Sequence, residues 1–216
     1  MGSRIGELGL IGVALVSATL WASDWPVRAA DHFDPPARTD PAVAARADRA
    51  ADIADIYTWQ TADSVVIVLT FAGPQSANLP ATYDSDVLYT INISNADLPT
   101  DAEIQIRFKF GKDGQNVGVQ VDGLPDGAGP LIGPVEQTLS RNGILVRAGL
   151  YDDPFFFDLQ GFKDSKATGS LSISKDRNFF NGQNDTAMVI QIPTAMLNKG
   201  VPLNMWATTA RFAGQL

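Results

Sequence analysis

"EIQIRFKFG", residues 103–111, decides how the rest of the chain is read. Ile104, Ile106, Phe108 and Phe110 alternate with Gln105, Arg107 and Lys109. A period of two places every apolar side chain on one face of an extended chain, which describes a half-buried β-strand. The texture recurs to both sides. "DIYTWQ" (55–60), "DVLYTINIS" (86–94), "QNVGVQVDG" (115–123) and "NGILVRAGL" (142–150) repeat it, as do "GSLSISK" (169–175), "TAMVIQIP" (186–193) and "PLNMWATTA" (202–210). "SVVIVLTF" (64–71) is β-branched and nearly continuous, as expected of a strand covered on both faces. About nine strands follow, joined by Gly, Pro, Asn and Asp turns. "PTAMLN" (193–198) reads as one helical turn started by Pro193. Long amphipathic helices and alternating βα units are not expected. The fold class is therefore all-β, an antiparallel β-sandwich-like single domain with an irregular N-terminal segment.

Three stretches are expected along the chain. Residues 1–29 read as an export signal: Arg4, the apolar run "LGLIGVALVSATLWAS" (8–23), then small residues in Val27-x-Ala29. That run is too short for a comfortable membrane span, and no later segment is long and apolar enough for one. Residues 30–54 form the N-terminal segment. Within it the Ala-rich "ARTDPAVAARADRAA" (37–51) reads as a surface or lead-in stretch, with Asp40 and Pro41 suited to start a short helix. Residues 55–216 form the sandwich. The expected location is periplasmic or secreted.

Composition removes several functions. The chain has no cysteine, which excludes disulfides, zinc–thiolate sites, iron–sulfur clusters and c-type haem attachment. Its formal net charge of −8 argues against nucleic acid and anionic membranes as partners, since their phosphates would be repelled. His32 is the only histidine and lies in the N-terminal segment, a poor place for a base that needs fixed geometry. No nucleophile elbow, phosphate loop or dinucleotide fingerprint occurs. No catalytic residue is assigned, although a hydrolase using two aspartates stays open because its acids need not be adjacent in sequence. Trp59 and Trp206, the two tryptophans beyond the signal, do not make a sugar-binding platform.

The acidic groups remain. Asp52 and Asp55, Asp84 and Asp86, and Asp152 and Asp153 each stand at the start of an apolar stretch, so at strand ends. Clustered carboxylates there can hold Ca²⁺, a hard cation that takes oxygen ligands. The plainer reading is that Asp favours turns and caps. His32 offers a second metal reading. Cleavage after Ala29 would leave Ala30-Asp31-His32 at the terminus, whose amine, amide nitrogens and imidazole suit square-planar Cu²⁺. Against it stands a histidine that is simply solvated or bonded to Asp31 or Asp34. In "DPFFFD" (153–158), Phe155, Phe156 and Phe157 cannot all face one side of a strand, so core packing and a partner surface are both open.

These stretches also resemble a family of exported bacterial proteins, the domain of unknown function four-three-three-one. The likeness rests on "DHFDPP" (31–36), "DIADIYTW" (52–59), "YDSDVLYTINIS" (83–94), "AGLYDDPFFFDL" (148–159), "NDTAMVIQIPTAML" (184–197) and "LNMWATTA" (203–210). The Ala-rich residues 41–51 look like an insertion relative to it. The resemblance implies an exported all-β protein and brings no assigned activity. The expected function is thus a non-enzymatic binding or interaction protein, with a structural divalent cation on Asp52, Asp55, Asp84, Asp86, Asp152 and Asp153, together with His32. The alternatives are Cu²⁺ binding, the aspartate hydrolase, or a subunit of an envelope assembly that makes contact through Phe155–Phe157.

Overall fold

The computed structural model describes residues 36–37, 46–96 and 100–212. Among them two antiparallel sheets of five strands face each other. The first sheet runs in the order β1 (Ile53–Gln60), β2 (Ser64–Ser76), β9 (Gln183–Pro193), β8 (Ile144–Asp152), β7 (Leu139–Arg141). The second runs β10 (Asn204–Arg211), β3 (Val87–Ser94), β4 (Ile104–Asp113), β5 (Asn116–Asp122), β6 (Leu131–Pro134). Among the described residues two α-helices, α1 (Leu159–Thr168) and the single turn α2 (Thr194–Leu197), and a 3-10 turn at Arg49–Ala51 complete the set. The all-β sandwich expected from the alternation is the fold observed.

The period of two does what it predicts. Ile106, Phe108 and Phe110 of β4 point inward and are buried, as are Tyr89, Ile91 and Ile93 of β3. Ile67, Leu69 and Phe71 of β2 meet them from the first sheet, beside Met188, Ile190 and Ile192 of β9. The Phe71 and Tyr89 rings pack across the sandwich with centroids 4.2 Å apart and planes tilted by 42°. β2 is buried along nearly its whole length, including outward-facing Val66 and Thr70.

The structure departs from the sequence reading in four places. "GSLSISK" is not a strand. Its N–H groups go to side chains instead of a ladder: Ser172 to Ser165 Oγ at 2.8 Å and Ser174 to Asp158 Oδ2 at 2.8 Å. The helix α1, which sequence reasoning missed, stands just before it. The short strands β6 and β7 lie in the Gly/Pro-rich link, where no alternation is long enough to read. Asp48, Ala50, Ala51 and Asp52, at the end of the Ala-rich stretch, are buried and close one side of the sandwich, with Arg49 exposed between them. Tyr89 donates its hydroxyl hydrogen bond to the Ala50 carbonyl, and Thr209 Oγ1 donates to the Ala51 carbonyl at 2.7 Å. Arg211 of β10 pairs with Asp48, both side chains 4% exposed.

Candidate functional site

The sequence-predicted acids do not gather in one place. Asp84 joins the ion pair that closes the sandwich: its Oδ2 accepts from Arg211 at 3.0 Å, and its Oδ1 accepts from the Asp86 amide at 2.9 Å. Asp86 is exposed. Asp52 is buried, and its carbonyl accepts from the Ala72 amide at 3.0 Å. Asp152 is exposed at the end of β8. His32, with Ala30 and Asp31, lies outside the described residues.

Asp55 and Asp153 both act on Tyr57, Asp55 through a hydrogen bond and Asp153 through its charge. The Tyr57 hydroxyl donates to Asp55 Oδ2 at 2.7 Å. Burial, that hydrogen bond, and the charges of Asp55, Asp153 and Asp185 push the phenol well above its ordinary value. Asp185, 1% exposed, is a member that sequence reasoning missed, although it directly precedes the apolar run of residues 186–193. Its carboxylate fills the space left by Gly73, where a Cβ would overlap it, at the bulge in β2 between Phe71 and Gln75. Among the described residues, no set of three or more His, Cys, Asp or Glu side chains is grouped as a metal site.

A second feature is built on the connection from β8 to β9, residues 153–182. Asp153 starts it, with Oδ1 accepting from the Phe155 amide at 2.8 Å. The three phenylalanines alternate. Phe155 and Phe157 turn into an aromatic cluster, with ring centroids 5.3 Å from Phe155 to Phe180 and 5.5 Å from Phe157 to Phe162. Phe156 turns out and is 51% exposed.

Asp158 is the pin of this excursion. It is buried and caps α1 by accepting from the Gly161 amide at 2.8 Å. Its other oxygen accepts from the Ser174 amide at 2.8 Å and from Arg177 Nε at 3.0 Å. Burial opposes its charge, but the two amides and the guanidinium outweigh that and hold the carboxyl below the usual range. Asn178 Oδ1 accepts from the amides of Phe157 and Phe180 and closes the loop on itself. Gly169 ends α1 in the left-handed conformation at φ 70°.

On this polar frame stand Phe156, Phe162, Leu171 and Ile173, exposed by 51, 44, 87 and 53%. Among the described residues eight large apolar side chains are exposed, and half belong to this one excursion. The segment of Leu171 and Ile173 is tied to α1, since the Ser172 amide between them donates to Ser165, one turn along the helix from Phe162. Family models, curated proteins and solved structures were each compared with the chain, and none matches.

Proposed function

We propose that this chain is an exported, non-catalytic binding protein that docks its partner through the β8–β9 excursion. One observation carries the reading: large apolar side chains are concentrated, exposed, on a loop whose backbone is pinned by a buried aspartate. Leaving apolar surface in water is unfavourable by about 25 cal/mol per Å², and such patches on a rigid frame mark interaction sites. The expectation that Phe155–Phe157 form a contact surface is narrowed accordingly. Phe156 belongs to the surface, while Phe155 and Phe157 pack beneath it. Export to the periplasm or medium, and kinship with the exported family named above, belong to the same proposal and rest on the sequence motifs.

The test is a photo-reactive amino acid at Leu171 or Ile173 in the producing cell, with Ile132, equally apolar and 66% exposed on β6, as reference. Adducts at 171 and 173 but not at 132 support the reading. Absence of adducts at all three positions removes it.

A further inference from the structure

We infer that the surface met by the β8–β9 excursion is an anionic lipid bilayer, into whose interface Phe156, Phe162, Leu171 and Ile173 insert. The inference rests on the docking reading above and names its partner. The excursion departs from the charge of the chain that carries it. The chain has a formal net charge of −8, whereas residues 153–182 are formally neutral, Lys163, Lys166, Lys175 and Arg177 balancing Asp153, Asp158, Asp164 and Asp176, of which Asp153 and Asp158 are buried.

The cations are placed among the apolar side chains. Lys166 Nζ lies 5.6 Å above the Phe162 ring. The run 171–175 alternates, with Leu171, Ile173 and Lys175 exposed and Ser172 and Ser174 turned inward. The Lys175 side chain is 88% exposed and spans no more than a surface contact with its neighbour Asp176. Asp158 is buried and bonded within the excursion, to the Gly161 and Ser174 amides and to Arg177. Beside the exposed side chains opens a cleft of about 440 Å³ whose two acids, Asp158 and Asp176, are paired with Arg177 and Lys175, and whose other polar side chains are Lys163, Gln160, Asn178 and Asn181. Those groups supply N–H donors suited to phosphate oxygens.

Two kinds of partner could cover exposed apolar residues, and the lysines separate them. The centre of a protein–protein interface is depleted in lysine, because burying an ammonium is costly. A bilayer interface favours the combination found here: apolar side chains enter the acyl boundary while lysines stay at the anionic headgroups. The acidic remainder of the molecule is repelled by the same headgroups, so only this end of the sandwich approaches.

Vesicle flotation of the protein as recovered from its producing host tests this, using phosphatidylcholine alone and phosphatidylcholine mixed with phosphatidylglycerol. The chain is expected to float with the mixed vesicles, not with phosphatidylcholine alone, and to be released as salt shortens the screening length. Lys163→Gln with Lys166→Gln should weaken binding about 30-fold. Leu171→Ser with Ile173→Ser should abolish it, and circular dichroism verifies that both variants fold. The variants share residues 1–45 with the parent, so any contribution from that stretch cancels. The inference is overturned if the chain never floats with the mixed vesicles, or if both variants float as the parent does. Adducts from Leu171 to a protein, with vesicles left bare, overturn the bilayer and keep the docking reading. Absence of adducts and of flotation overturns both.

Discussion

Arg211→Met is the sharpest test of how the sandwich is closed. Arg211 ends β10, an edge strand, and pairs with Asp48 through both Nε and a terminal nitrogen. Both side chains are 4% exposed, and Asp84 adds a further contact at 3.0 Å. Hydrogen bonds to Asp48, opposed by burial and joined by Asp84, push the guanidinium above its already high value, so no accessible pH discharges it. Methionine keeps the packing of the stem and removes the charge. Asp48 then stays buried without its cation, a change that costs about 3–5 kcal/mol. For a domain of this size 1 kcal/mol corresponds to about 2–4 °C, so the melting temperature should fall by about 6–20 °C. The assay is thermal unfolding by circular dichroism, with guanidinium titration as a check. Asp48→Asn provides the cycle: if the pair acts as a unit, the double variant loses clearly less than the sum of the singles. A fall below about 2 °C, or strict additivity, would refute the view that this pair locks residues 48–52 into the open side.

Acid should weaken the link between the sheets at Asp126. Its carboxylate accepts from Arg141 Nε at 2.7 Å, and that bond, against burial, holds the carboxyl below its ordinary value. The contribution is complete above the unfolded value of about 3.9 and is lost as pH falls through the lower folded value. Asp126→Asn should therefore be less stable near neutrality and lose less on acidification. Parallel pH profiles of melting temperature would contradict this. The calcium expectation is tested where the charges of two predicted acids, Asp55 and Asp153, act together with Asp185 on Tyr57. An ion held there raises the melting temperature on adding millimolar calcium, a chelator reverses the rise, and Asp185→Asn abolishes it. A melting temperature indifferent to both reagents rejects the expectation.

What the sequence made legible follows from which signals are local. Alternation in β3, β4 and β5 is a property of consecutive residues, and those strands were readable to within a residue or two. The turn at 193–198 was readable from Pro193. The helix α1 carried its own punctuation, Asp158 at the cap and Gly169 beyond the end. It was missed because Phe162 faces water and no apolar stripe marks a buried side. "GSLSISK" alternates as a strand does, yet its outward Leu171 and Ile173 face no neighbouring strand. Alternation reports two unlike faces and does not say that either is buried. The acidic site was half legible for a similar reason. Asp55, Asp153 and Asp185 each precede an apolar run in the sequence, but the burial of Asp185 depends on a bulge in a different strand and on the missing side chain of Gly73.

The excursion is more chain than the sandwich requires, and that can be tested directly. β8 and β9 are antiparallel neighbours in register at Asp152 and Asn184, with the Asp153 amide bonded to the Gln183 carbonyl at 2.9 Å. Two residues in a type I′ turn suffice to join strands so placed. Ordering the backbone of residues 154–182 instead costs about 1–2 kcal/mol per residue before any contact offsets it. Phe180, the most buried side chain of the excursion, packs on Phe155 and Phe179 and is not part of the main core cluster. Replacing residues 154–182 by Asn-Gly should therefore leave the sandwich folded, with stability changed by no more than about 2 kcal/mol. The same variant should lose flotation with anionic vesicles. If the variant fails to fold, the excursion is structural and its exposed side chains need no partner. If it folds and still binds, docking lies elsewhere on the molecule. A folded variant that no longer binds separates the two roles, with the sandwich as frame and the excursion as the surface it presents.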